Sequence, residues 1–232
     1  MRYCISDIHG EYGLFRSLLE KLKFSDGDEM YICGDIIDKG EHSLKLASYI
    51  SSFPNMHCIL GNHELAFLDY YRSILRTSPD DFDEVLYSLR RYFRKDVYLL
   101  DWKLMDWLEA LPAYIEEKDF ICVHAGVPLD EQGGLRPLST VSVAQLVHDR
   151  RFKEPDVLPK GNKCVFFGHT QTDAVCGESK ILLYPRNAEA KPKTVGDYHK
   201  IHLDTGAWQS GVLGCFCLDT LECVYVNKKS PV

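Results

Sequence analysis

The chain has 232 residues, 45% of them hydrophobic and 26% charged, with a formal net charge of −7. That length suits one domain, residues 1–232, with a sizeable core, and the acidic balance excludes the basic footprint of a nucleic-acid binder. No apolar run is long enough to span a membrane, and Asp7 and His9 come too early for a signal peptide. A soluble, cytoplasmic, monomeric protein that binds neither nucleic acid nor membrane is expected.

Residues 2–6 form a β-type run that ends in Asp7-Ile8-His9-Gly10. Leu14, Leu18, Leu19 and Leu22 then recur at helical spacing, and Ser25-Asp26-Gly27-Asp28 is a turn cluster. Residues 30–33 are a second strand, ending in Gly34-Asp35-Ile36-Ile37-Asp38-Lys39-Gly40. Leu44, Leu46, Ala47 and Ile50 make another helical face, broken by Phe53-Pro54-Asn55. A third strand, His57-Cys58-Ile59-Leu60, leads into Gly61-Asn62-His63-Glu64 and a helix-like stretch over 65–75. This β-α-β-α-β order predicts adjacent parallel strands joined by right-handed crossovers.

Residues 77–111 are rich in aromatics, leucine and both signs of charge. They read as mainly helical, with Leu86, Leu89 and Phe93, then Leu104, Trp107, Leu108 and Leu111, as buried faces. Strands resume at 120–123, ending in His124-Ala125-Gly126, and a helix is expected over 143–151. Residues 164–167 form a strand ending in Gly168-His169-Thr170. Further strands follow at 180–184, 201–203 (before Asp204-Thr205-Gly206), 212–218 and 223–226, with a hairpin-like link at 219–222. The polar stretch 186–200 is expected to be a mobile loop. The pattern implies an α/β fold of two mixed sheets packed face to face with helices outside.

The nine cysteines include no CxxC pair. Cys4, Cys33, Cys58, Cys122 and Cys164 sit in apolar runs and read as reduced, buried thiols. Cys215, Cys217 and Cys223 read as strand residues rather than as a zinc site. His42, His57, His148, His199 and His202 read as structural histidines.

Five strand ends carry metal-capable side chains beside glycine: Asp7 with His9, Asp35 with Asp38, Asn62 with His63, His124, and His169. Any one of them alone reads as a hydrogen-bonded structural residue. Asp7 and His9 stand two apart, so in extended chain both project to one face. Glycine at these exits relieves steric conflict and lets backbone approach a ligand.

Together, Asp7-Ile8-His9-Gly10, the 34–40 stretch, Gly61-Asn62-His63-Glu64, Val123-His124-Ala125-Gly126 and Gly168-His169-Thr170 resemble the signature of the phosphoprotein-phosphatase branch of calcineurin-like metallophosphoesterases. Order and spacing match from residue 7 to about 206. The size is similar to that of compact bacterial and phage Ser/Thr protein phosphatases, and diadenosine tetraphosphate hydrolases belong to the same branch. The resemblance implies the αββα metallophosphoesterase architecture and a dinuclear site. Asp7 and His9 would hold the first metal, Asn62, His124 and His169 the second, and Asp35 would bridge them. This oxygen and imidazole donor set suits transition metals; manganese is expected, with iron or zinc as alternatives.

The implied reaction is direct attack of a metal-bridging hydroxide on phosphorus. His63 would protonate the leaving alkoxide, oriented by Asp38; an N-cap is the other reading of Asp38. Asn62, Lys39 and Arg150 are the expected phosphate contacts. Lys39 stands where the family commonly has arginine, losing the planar fork, and it could instead pair with Glu64. Arg151 competes with Arg150. The Asp204-Thr205-Gly206 turn is given a structural role. The expected substrate is phosphoserine or phosphothreonine in proteins. Symmetrical hydrolysis of dinucleoside polyphosphates is the second reading, and a catalytically silent phosphate-binding scaffold the third.

Overall fold

The computed structural model describes residues 1–77, 87 and 95–228. The first half is β1 (Arg2–Ile5), α1 (Tyr12–Leu22), β2 (Glu29–Ile32), α2 (Ser43–Ser51), β3 (Met56–Cys58) and α3 (Asn62–Thr77). β1, β2 and β3 pair in parallel, as the β-α-β-α-β order predicts. The antiparallel hairpin of β9 (Val212–Cys217) and β10 (Cys223–Asn227) docks on the free edge of β1. The resulting order is β10-β9-β1-β2-β3.

The second sheet has the order β4-β5-β6-β8-β7, from β4 (Tyr114–Glu116), β5 (Phe120–Val123), β6 (Cys164–Phe167), β7 (Leu182–Pro185) and β8 (Tyr198–His202). β5, β6 and β8 run parallel, with antiparallel edges at β4 and β7. The shorter helices are α4 (Trp102–Glu109), α5 (Val143–His148), α6 (Asp173–Cys176) and α7 (Ala207–Ser210).

Strand alternation builds the layers. Tyr3 and Ile5 of β1 turn toward the helical layer, with Leu14, Phe15 and Leu18 of α1, Leu44 and Ile50 of α2, and Phe67 of α3. Cys4, between them, enters the space between the sheets. In β5 and β6, Phe120, Cys122, Cys164 and Phe166 face that same space, while Ile121, Val123, Val165 and Phe167 face outward. Each fully buried aliphatic or aromatic side chain contributes roughly 1.5–3 kcal/mol. The architecture is therefore the expected pair of mixed sheets with helices outside. The parallel strands of each sheet end at one rim, where the polar stretches lie.

The cysteines read as buried thiols are buried and free. Cys4 Sγ lies 3.7 Å from that of Cys33 and 3.8 Å from that of Cys122, where the two sheets meet. Among the described residues no helix is long and apolar enough to cross a membrane.

Several local expectations are corrected. The helix expected over 143–151 ends at His148, because Asp149 is extended and its carboxylate accepts the Arg151 N–H at 2.7 Å, a turn that competes with the helix. The expected loop 186–200 contains a 3₁₀ turn (Val195–Asp197) and the start of β8. An irregularity opposite Tyr184 and Pro185 breaks the alternation there and hid the strand. β4 has no signal in the sequence: it is three residues long, too short for period two to show. In the 77–111 stretch, Leu86, Leu89 and Phe93 lie outside the described residues. Leu104 and Leu108 are buried on α4, with Trp107 and Leu111 packed beside them.

Candidate active site

The site residues leave their strands by sharp turns. Among the described residues, six of the eight non-glycine residues with positive φ are Asp7, His9, Asp35, Asp38, Lys39 and His169. Such conformations cost about 1–3 kcal/mol each and persist only where the surroundings over-determine them. Their clustering marks this rim as the place where stability gives way to geometry. Two glycines make room. A Cβ at Gly61 would fall on the Asp35 carboxylate, and one at Gly168 on Asp7 Oδ2 and Ser6 Oγ.

Asp35 is central. Its Oδ1 accepts the His63 backbone N–H at 3.0 Å. Its Oδ2 stands 3.6 Å from His9 Nε2, 3.4 Å from His124 Nε2 and 3.8 Å from His63 Nε2. Asp7 reaches the same space, with Oδ1 at 3.9 Å from His9 Nε2. Its Oδ2 accepts from Ser6 Oγ and from the His169 N–H. Asn62 Oδ1 is 2.8 Å from both His124 Nε2 and His169 Nδ1. All six residues expected as metal ligands therefore converge.

The donor set fits cations. His9 and His124 donate Nδ1–H to the carbonyls of Ile37 at 3.1 Å and Cys33 at 2.8 Å. That fixes each ring and leaves the Nε2 lone pair pointing inward. The His124 lone pair then faces an oxygen of Asn62, a contact between two acceptors that a positive ion between them makes favourable. Asp7 Oδ1 is buried with no hydrogen-bond partner. Burial, with repulsion from Asp7 and Glu64, pushes the Asp35 carboxyl well above the usual range; a cation relieves that cost. Burial lowers His9 to about 3, aided by Lys39, and lowers His169 to about 3, aided by His124, Arg150 and His148. Both rings are thus neutral, as ligands must be. Donor atoms of Asp7, Asp35 and His124, and of His9, Asp35 and His63, lie within 4.8 Å of one another, and Asp35 belongs to both groups.

His63 sits at the edge of this cluster. Its Nδ1 donates to Asp38 Oδ2 at 2.7 Å, leaving Nε2 toward the centre. Burial alone would lower its pKa, but the Asp38 bond and the Asp35 charge outweigh it and raise it. Asp38 does not cap a helix: α2 starts at Ser43, and Asp38 Oδ1 accepts the Lys39 N–H instead.

Lys39 does not pair with Glu64. Its Nζ donates to His9 Nε2 at 2.9 Å, so the ammonium reaches over the donor cluster. Glu64 is fully buried and its carboxylate accepts four backbone N–H groups. These belong to Asp35 at 2.8 Å, Ile36 at 2.9 Å, Ile37 at 3.0 Å and Gly61 at 2.9 Å. Glu64 thus shapes the loop that presents Asp35. The signal for this was a carboxylate in the first turn of a helix, three residues after the chain enters it, where it can reach back to an unpaired N–H.

Arg150 and Arg151 diverge. Arg150 lies near enough to help hold His169 neutral, whereas Arg151 lines an adjoining cleft of about 510 Å³ with Asp149 and Phe152. His148, read as structural, has its ring centroid 6.3 Å from that of His169. Asp204 and Thr205 form a turn: Asp204 Oδ1 accepts the Gly206 N–H at 2.9 Å, and Thr205 Oγ1 donates to the Val212 carbonyl at 2.8 Å.

The symmetrical bis(5'-nucleosyl)-tetraphosphatase of Aggregatibacter actinomycetemcomitans is 30% identical over 132 residues, 55% of this chain and 45% of that protein. Its counterpart from Buchnera aphidicola subsp. Schizaphis graminum is 35% identical over 130 residues, 54% of this chain and 44% of that protein. The matches thus span less than half the length of these curated relatives. A crystal structure assigned provisionally as a diadenosine tetraphosphatase superposes with a TM-score of 0.71 at 19% identity, covering 99% of this chain and 94% of that one. A metallophosphoesterase from Sphaerobacter thermophilus gives a TM-score of 0.58 at 15% identity, covering 99% and 89%. These two likenesses bear on the fold. The family described as calcineurin-like phosphoesterase matches residues 3–200. With the five strand-end stretches meeting in one cluster of donors, the chain belongs to the calcineurin-like phosphoesterases.

Proposed function

We propose that this chain hydrolyses dinucleoside polyphosphates symmetrically, water adding across the central phosphoanhydride of a tetraphosphate to release two nucleoside diphosphates. The observation that carries this reading is the name shared by the curated relatives, symmetrical bis(5'-nucleosyl)-tetraphosphatase. It displaces the phosphoprotein reading drawn from the motifs, which those relatives do not favour.

In this proposal Asp7, His9, Asp35, Asn62, His124 and His169 would hold two metal ions, Asp35 contributing to both. When bound, such a pair polarises phosphoryl oxygens and lowers the pKa of the attacking water. Every other step falls to the chain. Arg150 and Lys39 bind the anionic chain, with Asn62 as a further contact. His63, held by Asp38 at 2.7 Å, presents Nε2 to the leaving oxygen and delivers a proton. Local cations are needed, because the net charge of −7 repels a polyphosphate at long range.

The test is a panel of diadenosine tetraphosphate and a phosphoserine peptide, run side by side with manganese, iron and zinc. ADP as the sole nucleotide product, formed faster than the peptide is dephosphorylated, supports the reading. ATP with AMP, or turnover of the peptide alone, overturns it.

A further inference from the structure

Lys200 of β8 is fully buried. Its Nζ donates to the backbone carbonyls of Phe152 at 2.6 Å and Glu154 at 2.7 Å. The rings of Tyr184, Phe152 and Phe167 surround it, with centroids at 4.6, 5.2 and 5.7 Å. Burying an ammonium is costly unless hydrogen bonds and aromatic faces compensate. An apolar side chain would fill the same space without that cost, so the interactions themselves need a reason.

The reason lies in what the two carbonyls belong to. Phe152 and Glu154 directly follow Asp149-Arg150-Arg151, the segment released when α5 stops at His148. Arg150, on that segment, is the arginine near His169. Two residues along β8, on the same face, His202 does the matching task. Its Nε2 donates to the Thr170 carbonyl at 2.6 Å, and its ring stacks on Phe167 at 4.4 Å. One strand face therefore holds both the turn that carries His169 and the segment that carries Arg150.

We propose that Lys200 is a positioning residue: by holding the carbonyls of Phe152 and Glu154 it fixes the segment from which Arg150 reaches the substrate phosphate, and so sets the affinity for that phosphate. This rests on the reading of Arg150 as a phosphate ligand. Burial lowers Lys200 to about 8, against the opposing pull of Asp156 and Glu154. The other titratable groups around it are Lys153 on the same segment, Tyr184 of β7 and His202 of β8. Below about pH 8 the ammonium makes both donations at full strength; above it the neutral amine holds the segment more weakly.

The experiment is a double-mutant cycle on the manganese-loaded full chain, with diadenosine tetraphosphate as substrate and orthophosphate as competitive inhibitor. Lys200→Met keeps the volume and removes the donors. KM and the phosphate inhibition constant are expected to rise about tenfold, with kcat and metal content near the parent values. In an Arg150→Ala background the same change should alter KM by less than about twofold. Equal effects in both backgrounds overturn the proposal alone. An unchanged KM in Arg150→Ala overturns the phosphate-ligand reading, and the proposal with it. Lys200→Arg keeps a permanent cation and serves where Lys200→Met does not fold. The rise in parent KM above about pH 8 should then vanish, and its persistence in Lys200→Arg overturns the proposal.

Discussion

Asp38 Oδ2 accepts a hydrogen bond from His63 Nδ1 at 2.7 Å, and this bond decides which end of the imidazole faces the donor cluster. The acid form of His63 is present below its raised pKa and is lost as pH rises through it. Activity that needs this proton therefore falls on the alkaline side. Asp38→Asn removes the Asp38 charge and its charged bond, leaving only the Asp35 charge against burial, which pulls the pKa down. The alkaline limb of kcat should move to lower pH, and kcat at neutral pH should fall about ten- to hundredfold. A pH–rate profile for both proteins checks this; an unmoved limb removes Asp38 from the mechanism.

The demand for a proton depends on the leaving group. A serine alkoxide is strongly basic and needs protonation, whereas a nucleoside diphosphate or a nitrophenolate leaves far more readily as the anion. His63→Ala should cut turnover of a phosphoserine peptide about 10²–10⁴-fold. The loss on diadenosine tetraphosphate and on p-nitrophenyl phosphate should be smaller, at least tenfold less. Metal content should stay the same, since none of the six proposed metal ligands is altered. Equal losses on all three substrates would mean that His63 binds or orients substrate and is not the acid.

The donor cluster was legible in the sequence because each part of it is local. A short apolar run, a glycine and a metal-capable side chain sit within a few residues, and their repetition is visible without knowing the fold. What holds the cluster was not legible. Glu64, Lys200 and His202 all act on backbone carbonyls or N–H groups of distant segments, and backbone atoms leave no residue signature. For Glu64 the sequence offers only an alternative pairing with Lys39, because a charge partner is the one kind of contact it makes visible. The layers were equally readable from strand alternation, except where chains were too short or irregular, as at β4 and at the bulged start of β8.

Gly168 tests whether the turn before His169 is a matter of space. A Cβ there would collide with Asp7 Oδ2 and Ser6 Oγ, both buried and without room to retreat. Gly168→Ala should displace the Asp7 carboxylate and with it one metal. Elemental analysis after loading and desalting should find about one ion per chain fewer than in the parent, and kcat/KM should fall more than about a hundredfold. An unchanged ion content with full activity would show that the turn relaxes, and that Asp7 is not held in place by this contact.

Glu64 offers the sharpest separation of support from chemistry. Its carboxylate lies behind Asp35 and takes four N–H groups that otherwise stand unpaired in a buried turn. Glu64→Gln keeps the shape but turns one oxygen into an NH₂ donor, which then faces backbone donors. Charge-assisted bonds of this kind are worth about 1.5–3 kcal/mol each, and leaving some unmade should destabilise the fold by about 3 kcal/mol. For a chain of this size that lowers Tm by about 6–12 °C. The variant also carries one less buried charge beside Asp35, whose own carboxyl is pushed up in part by Glu64. With Asp35 as the proposed shared ligand, metal binding needs it ionised and correctly placed, and therefore faces two opposed effects. The geometric one dominates if the 35–37 loop shifts. Manganese at 100 times its Kd raises stability by about 2.7 kcal/mol in a protein with an intact site. That gain should shrink in Glu64→Gln, read as a smaller metal-induced shift in Tm. A gain equal to the parent's would show that Asp35 keeps its place without Glu64, and that the four bonds serve the fold alone.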